Sequence, residues 1–91
     1  MTDLRKLAKG QNCQIRLPCC NHNPETVVLC HFRLSGISGL GMKSPDAIAS
    51  WGCSACHQFV DSHKDETTQL AFAHGVLRTI NALIEDQVIS W

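Results

Sequence analysis

Ninety-one residues make one small domain with a single core, so a two-domain organisation is excluded. With 44% hydrophobic and 18% charged residues, the composition is neither that of a disordered polyelectrolyte nor that of a membrane protein. Three Phe and two Trp leave a thin core, whereas six Cys and five His offer ligands, so a metal or disulfide staple is expected.

Net charge is zero, but unevenly spread. Residues 1–45 carry Arg5, Lys6, Lys9, Arg16, Arg33 and Lys43 against Asp3 and Glu25, and the second half is correspondingly acidic. Such a split allows one basic face for phosphates and one acidic face in water; ordinary surface charge is the plainer reading. The opening Met1–Lys9 segment lacks the apolar run of an export signal, and Val27–Cys30 is far too short to span a membrane. A cytoplasmic location without membrane contact is therefore expected. In a reducing compartment, clustered cysteines point to metal rather than to disulfides.

In chain order, residues 1–12 read as a polar, basic arm with one helical turn over Leu4, Leu7 and Ala8, broken at Gly10. Cys13 to Asn23 holds Pro18, adjacent cysteines and Asn21-His22-Asn23, which suits a tight knuckle. Thr26 to Leu34 alternates as one strand, with Val28, Cys30 and Phe32 on one face and Val27, Leu29 and His31 on the other. A glycine-rich loop, Ser35 to Pro45, lacks the spacing of a phosphate-binding loop. Asp46 to Gly52 reads as a second strand or short turn, and Ser54 to His63 as a helix. Asp65 or Thr67 can cap the last helix, about Thr68 to Glu85, in which Leu70, Ala73, Leu77, Ile80 and Ile84 recur at helical spacing. Val88 to Trp91 adds a short strand or packs on that helix.

Cys53-Ser-Ala-Cys56 is a knuckle that brings two sulfurs to one ion, and Cys13 with Cys19 or Cys20 supplies a second, looser pair. Cys20 is the preferred partner, because Pro18 constrains the turn before Cys19 and polar residues follow Cys20. Cys19 and Cys30 are then expected to be small buried residues. Cys56-His57 completes the c-type haem motif, but that reading needs export and leaves Cys13 and Cys20 unexplained. A thioredoxin-like use of the pair lacks its βαβ context.

Cysteines, a strand ending in His31, a glycine-rich loop and Cys53-x-x-Cys56-His57 with Asp61 four residues on resemble the HNH, or ββα-metal, endonucleases that carry a zinc knuckle. More closely, Asp3-Leu-Arg-Lys, Cys13-Gln-Ile-Arg16, Asn23-Pro-Glu-Thr-Val-Val-Leu, His31-Phe-Arg-Leu and Cys53-Ser-Ala-Cys-His57 resemble a family of small predicted nucleases of lambdoid phages and prophages. The match runs through about residue 61.

The resemblance implies an α+β, zinc-stapled ββα-metal core at residues 13–63, after the arm and before a C-terminal helical extension, 64–91. It implies metal-dependent hydrolysis of DNA in the cytoplasm of a bacterial host. His31 would be the general base, an imidazole being suited to proton transfer near neutral pH. His57 and Asp61, on one helical face, would hold a divalent metal such as Mg2+ or Mn2+ on the phosphate. Asp46 stands where the superfamily usually has an Asn that orients the base, and Cys30 where it often has a metal-binding Asp or His. Cys13, Cys20, Cys53 and Cys56 would bind structural zinc, with His57 as a competing zinc ligand. Arg16, Arg33 and Lys43 are the residues expected to meet DNA; whether the helix around Leu77 to Ile84 joins two chains as a homodimer is left open by the sequence. The alternative is a noncatalytic zinc-knuckle module that binds nucleic acid or protein.

Overall fold

The computed structural model describes residues 3–32 and 46–86. The glycine-rich loop, Arg33, Lys43 and the Val88–Trp91 segment lie outside the described residues. Within them the fold is α+β, with helix α1 (Leu4–Ala8), strands β1 (Val28–His31) and β2 (Ala49–Gly52), and helices α2 (Ser54–Ser62) and α3 (Glu66–Glu85).

Asp3 starts α1 by accepting the N–H groups of Arg5 and Lys6 at 3.0 and 3.3 Å, and Gly10 leaves it in the left-handed conformation, φ +91°. The stretch read as an arm is one only on its outer side. Ala8 is completely buried, Leu4 and Leu7 pack against the core, and α1 lies against β1.

The first strand is shorter than its β-branched run suggested, because Pro24–Thr26 forms a 3-10 turn that Asn23 caps through the Glu25 N–H. β1 and β2 pair antiparallel, with Leu29 opposite Trp51 and His31 opposite Ala49. Only the end of the Asp46–Gly52 run is strand; Asp46 lies in the turn before it. The Gln14 N–H donates to the Trp51 carbonyl at 2.8 Å, which ties the first cysteine segment to β2.

Asp65 caps α3, accepting the Thr68 N–H at 3.1 Å and its hydroxyl at 2.7 Å. The buried face of α3 is Thr68, Phe72, Gly75, Val76, Thr79 and Leu83. Of the predicted stripe, Ile80 packs against the core, but Leu70 and Leu77 turn away from it, 57% and 64% exposed. The reason is close approach. A Cβ on Gly75 would sit 2.5 Å from Ser50 Oγ and 3.1 Å from both the Gln14 carbonyl oxygen and Ile15 Cα. Thr79 Oγ1 accepts the Trp51 N–H at 3.0 Å, so small and hydroxylic side chains fit where leucines would not.

Candidate functional site

The sulfurs of Cys13, Cys20, Cys53 and Cys56 lie within 4.8 Å of one another. A turn from Leu17 to Cys20, closed by the Cys20 N–H on the Leu17 carbonyl at 2.9 Å, carries Cys20 inward and leaves Cys19 exposed. The expectation of a buried Cys19 is thereby corrected, whereas Cys30 is buried beside Gly52. Cys53 also starts α2, its sulfur accepting the Cys56 N–H at 3.4 Å. Arg16 and His22, with φ of 58° and 55°, supply left-handed bends that follow Cys13 and Cys20.

The chemistry of this donor set suits a metal ion such as zinc. Ligand sulfurs on tetrahedral zinc sit roughly 3.8 Å apart, and Cys20 and Cys53 are already at 3.7 Å. Burial pushes the Cys20 thiol up to about 11 and raises Cys56 further still. Burial also acts on Cys53, but the N–H groups of Cys56 and Asn21 and the neighbouring thiols outweigh it and bring that thiol down to about 7. One thiolate forms readily; several close together call for a cation.

Leu29 and His31 of β1 line a cleft of about 830 Å3 that is also lined by His57, Asp61, Arg5 and Lys64. Gln69 and Phe72 of α3 complete its wall. His31 sits at the end of β1 and bonds Asp46 Oδ1 through Nε2 at 2.7 Å. This bond, together with the nearby Arg5 guanidinium, holds the Asp46 carboxyl below its ordinary range. Because a carboxylate only accepts, the bond sets the proton on Nε2 and leaves the Nδ1 lone pair available as a base. On α2, one turn apart, His57 Nε2 and Asp61 Oδ2 are 3.5 Å apart, with Asp61 exposed and His57 half-buried. Neighbouring donors on an octahedral ion lie about 3 Å apart, so a small closure lets the pair hold a divalent metal with positions open for water and phosphate.

The structure thus brings His31, His57 and Asp61 to one cleft, with Asp46 on His31, and gathers the four cysteines separately. It does not bring Arg16 there: its guanidinium bonds Gln14 Oε1 at 3.1 Å, and it is not among the lining residues. Lys64 is not singled out by the sequence, and Arg5 stands out only as part of the basic arm, with Lys6 and Lys9, that offers a second face for DNA. Arg5 meets Asp46 across 41 residues of chain, and no local spacing announces such a meeting.

A small α+β fold with a four-cysteine centre and a histidine-lined cleft defines a class of compact, metal-competent proteins. The family model described as "Putative nuclease YbcO" matches residues 2–88, and the chain belongs to that family. It is similar to "Putative nuclease YbcO" of Escherichia coli (strain K12) and "Putative nuclease ybcO" of Enterobacteria phage 82, each 58% identical over 62 residues, 67% of this chain. The chain spans 65% of the length of these two relatives. It is also similar to a solved structure described as "Structure of a putative bacteriophage protein from Escherichia coli str. K-12 substr. MG1655", with a TM-score of 0.76 and 38% identity. That similarity covers 93% of this chain and 100% of the other. No helix among the described residues is long and apolar enough to cross a membrane.

Proposed function

We propose that the cleft hydrolyses phosphodiester bonds of DNA, that β1, β2 and α2 act as a ββα-metal (HNH-like) core, and that zinc on the four cysteines staples it. The observation that carries this reading is the meeting of a carboxylate-held imidazole, His31, with a His57–Asp61 donor pair on one cleft wall. Membership of a family named for nuclease activity supports action on nucleic acid.

His31 Nδ1 takes the proton of a water whose oxygen attacks phosphorus, and the P–O bond to the leaving oxygen breaks on the opposite side. Asp46 keeps the ring oriented and stabilises the imidazolium as it forms. His57 and Asp61 would hold the divalent ion, which when bound supplies Lewis-acid stabilisation of the phosphate's developing charge. The zinc centre contributes architecture: Cys53 and Cys56 fix the first turn of α2, and that turn fixes where His57 projects.

The test is incubation of purified, zinc-loaded protein with plasmid DNA and Mg2+, Mn2+ or Ni2+. Cleavage that depends on the added ion is expected. Its absence with all three would favour a noncatalytic zinc module that binds nucleic acid.

A further inference from the structure

The cleft holds two side-chain cations from separate elements, Arg5 of α1 and Lys64 between α2 and α3. We propose that Arg5 and Lys64 form a two-point grip on the DNA backbone, with Arg5 exchanging Asp46 for a phosphodiester oxygen when the substrate enters. The inference rests on the reading of the cleft as a DNA-cleaving site and adds the groups that seat its substrate.

Arg5 is weakly held where it is. Its Nε and one terminal nitrogen both reach the same atom, Asp46 Oδ1, at 3.4 Å, and both side chains are well exposed, 58% and 41%. Asp46 has a much shorter bond to His31, 2.7 Å. Exposed pairs of this kind contribute little, so releasing the guanidinium costs little, while a phosphodiester offers two oxygens to its planar fork. Asp46 then keeps its partner on the base.

Lys64 is differently anchored. Its Nζ donates to the Val60 carbonyl at 2.9 Å, which closes the last turn of α2 and leaves further N–H donors available at the cleft. Asp46 and Asp61 offset the two cations. The offset is local, since Asp46 is engaged by His31 and Asp61 lies beside His57, so both cations can turn N–H donors to phosphate oxygens without an added ion.

The experiment is fluorescence anisotropy of a short DNA duplex with zinc-loaded protein over a range of KCl, without added divalent ion. Each phosphate that a variant leaves unneutralised should lower the magnitude of the slope of log K against log salt by about 0.9. Arg5→Gln and Lys64→Gln should each flatten the slope by roughly one such step, and the double variant by roughly two, with affinity at low salt falling several-fold. Arg5→Lys should keep the salt slope while binding more weakly, which separates the effect of charge from that of misfolding; thermal melts confirm that each variant folds. Wild-type slopes in both glutamine variants, or no salt-dependent binding by the wild type, overturn the grip. So does a slope that falls with Arg16→Gln but with neither cleft cation. A wild type that binds through Arg5 and Lys64 yet cleaves nothing would instead overturn the proposed function and leave the grip standing.

Discussion

His31 and Asp46, fifteen residues apart in the chain, meet at 2.7 Å, Nε2 to Oδ1, where the end of β1 faces the turn before β2. The bond gives the imidazole one fixed tautomer and one free nitrogen, the arrangement a general base requires.

Asp46→Asn should retain part of the cleavage rate, because an amide oxygen can still accept the Nε2 proton, whereas Asp46→Ala should slow cleavage by at least about tenfold. The stability effect has a defined pH dependence. Asp46 titrates below its ordinary range, chiefly through the His31 bond. Its contribution is therefore present above the unfolded carboxyl pKa of about 3.9 and is lost as pH falls through the folded value. Melting curves of wild type and Asp46→Ala should differ near pH 5 and draw together as pH falls below about 4. A gap that widens toward low pH would contradict the assignment.

The cysteine centre should hold one zinc per chain. Because Cys20 and Cys56 keep their protons at neutral pH, zinc binding at pH 7 should release at least two protons and weaken as pH falls. Calorimetry in buffers of different ionisation enthalpy measures the release directly. Cys53→Ser should lose both the metal and the cooperative melting transition, and a strong chelator should do the same to the wild type. A folded, reduced protein free of metal by elemental analysis would contradict this.

Gly75 allows a test of how α3 is seated. Replacing a helical glycine with alanine normally gains about 1 kcal/mol of helix propensity. Here the new Cβ meets Ser50 Oγ at 2.5 Å and the backbone of Gln14 and Ile15 at 3.1 Å, and backbone cannot swing aside. Overpacking of about 1–3 kcal/mol should win, so Gly75→Ala should lower the melting temperature. Leu70→Gln and Leu77→Gln, on the outer face, should stay within about 0.5 kcal/mol of wild type, while Phe72→Ala should cost about 3–5 kcal/mol. Equal losses at Leu70 and Phe72 would reverse the assigned face.

These contrasts mark what the sequence makes legible. The cap at Asp65, the breaker at Gly10 and the bounds of α2 are local, and local chemistry announces them. The pairing of Cys13 with the Cys53 knuckle is suggested by ligand type, and Pro18 helps to select Cys20 because the turn it occupies exposes Cys19. The face of α3 is not announced. Hydrophobicity pointed to Leu70 and Leu77, but the sheet lies too close for them, and the position of β2 is fixed by tertiary pairing. For the same reason Arg5 escapes a reading by spacing, since only the packing of α1 against β1 brings it to Asp46.

The most direct measurement is ion-dependent nicking of supercoiled plasmid by zinc-loaded wild type, His31→Ala and His57→Ala, with the metal content of each protein determined alongside. His31→Ala should lower the rate by about 10²–10⁴ while keeping one cysteine-bound zinc and a cooperative melting transition. His57→Ala should also stop cleavage, with the zinc retained and affinity for the added ion reduced. Cleavage by His31→Ala at the wild-type rate at neutral pH, with contaminating nuclease excluded, would contradict the account, as would loss of the zinc on replacing His57.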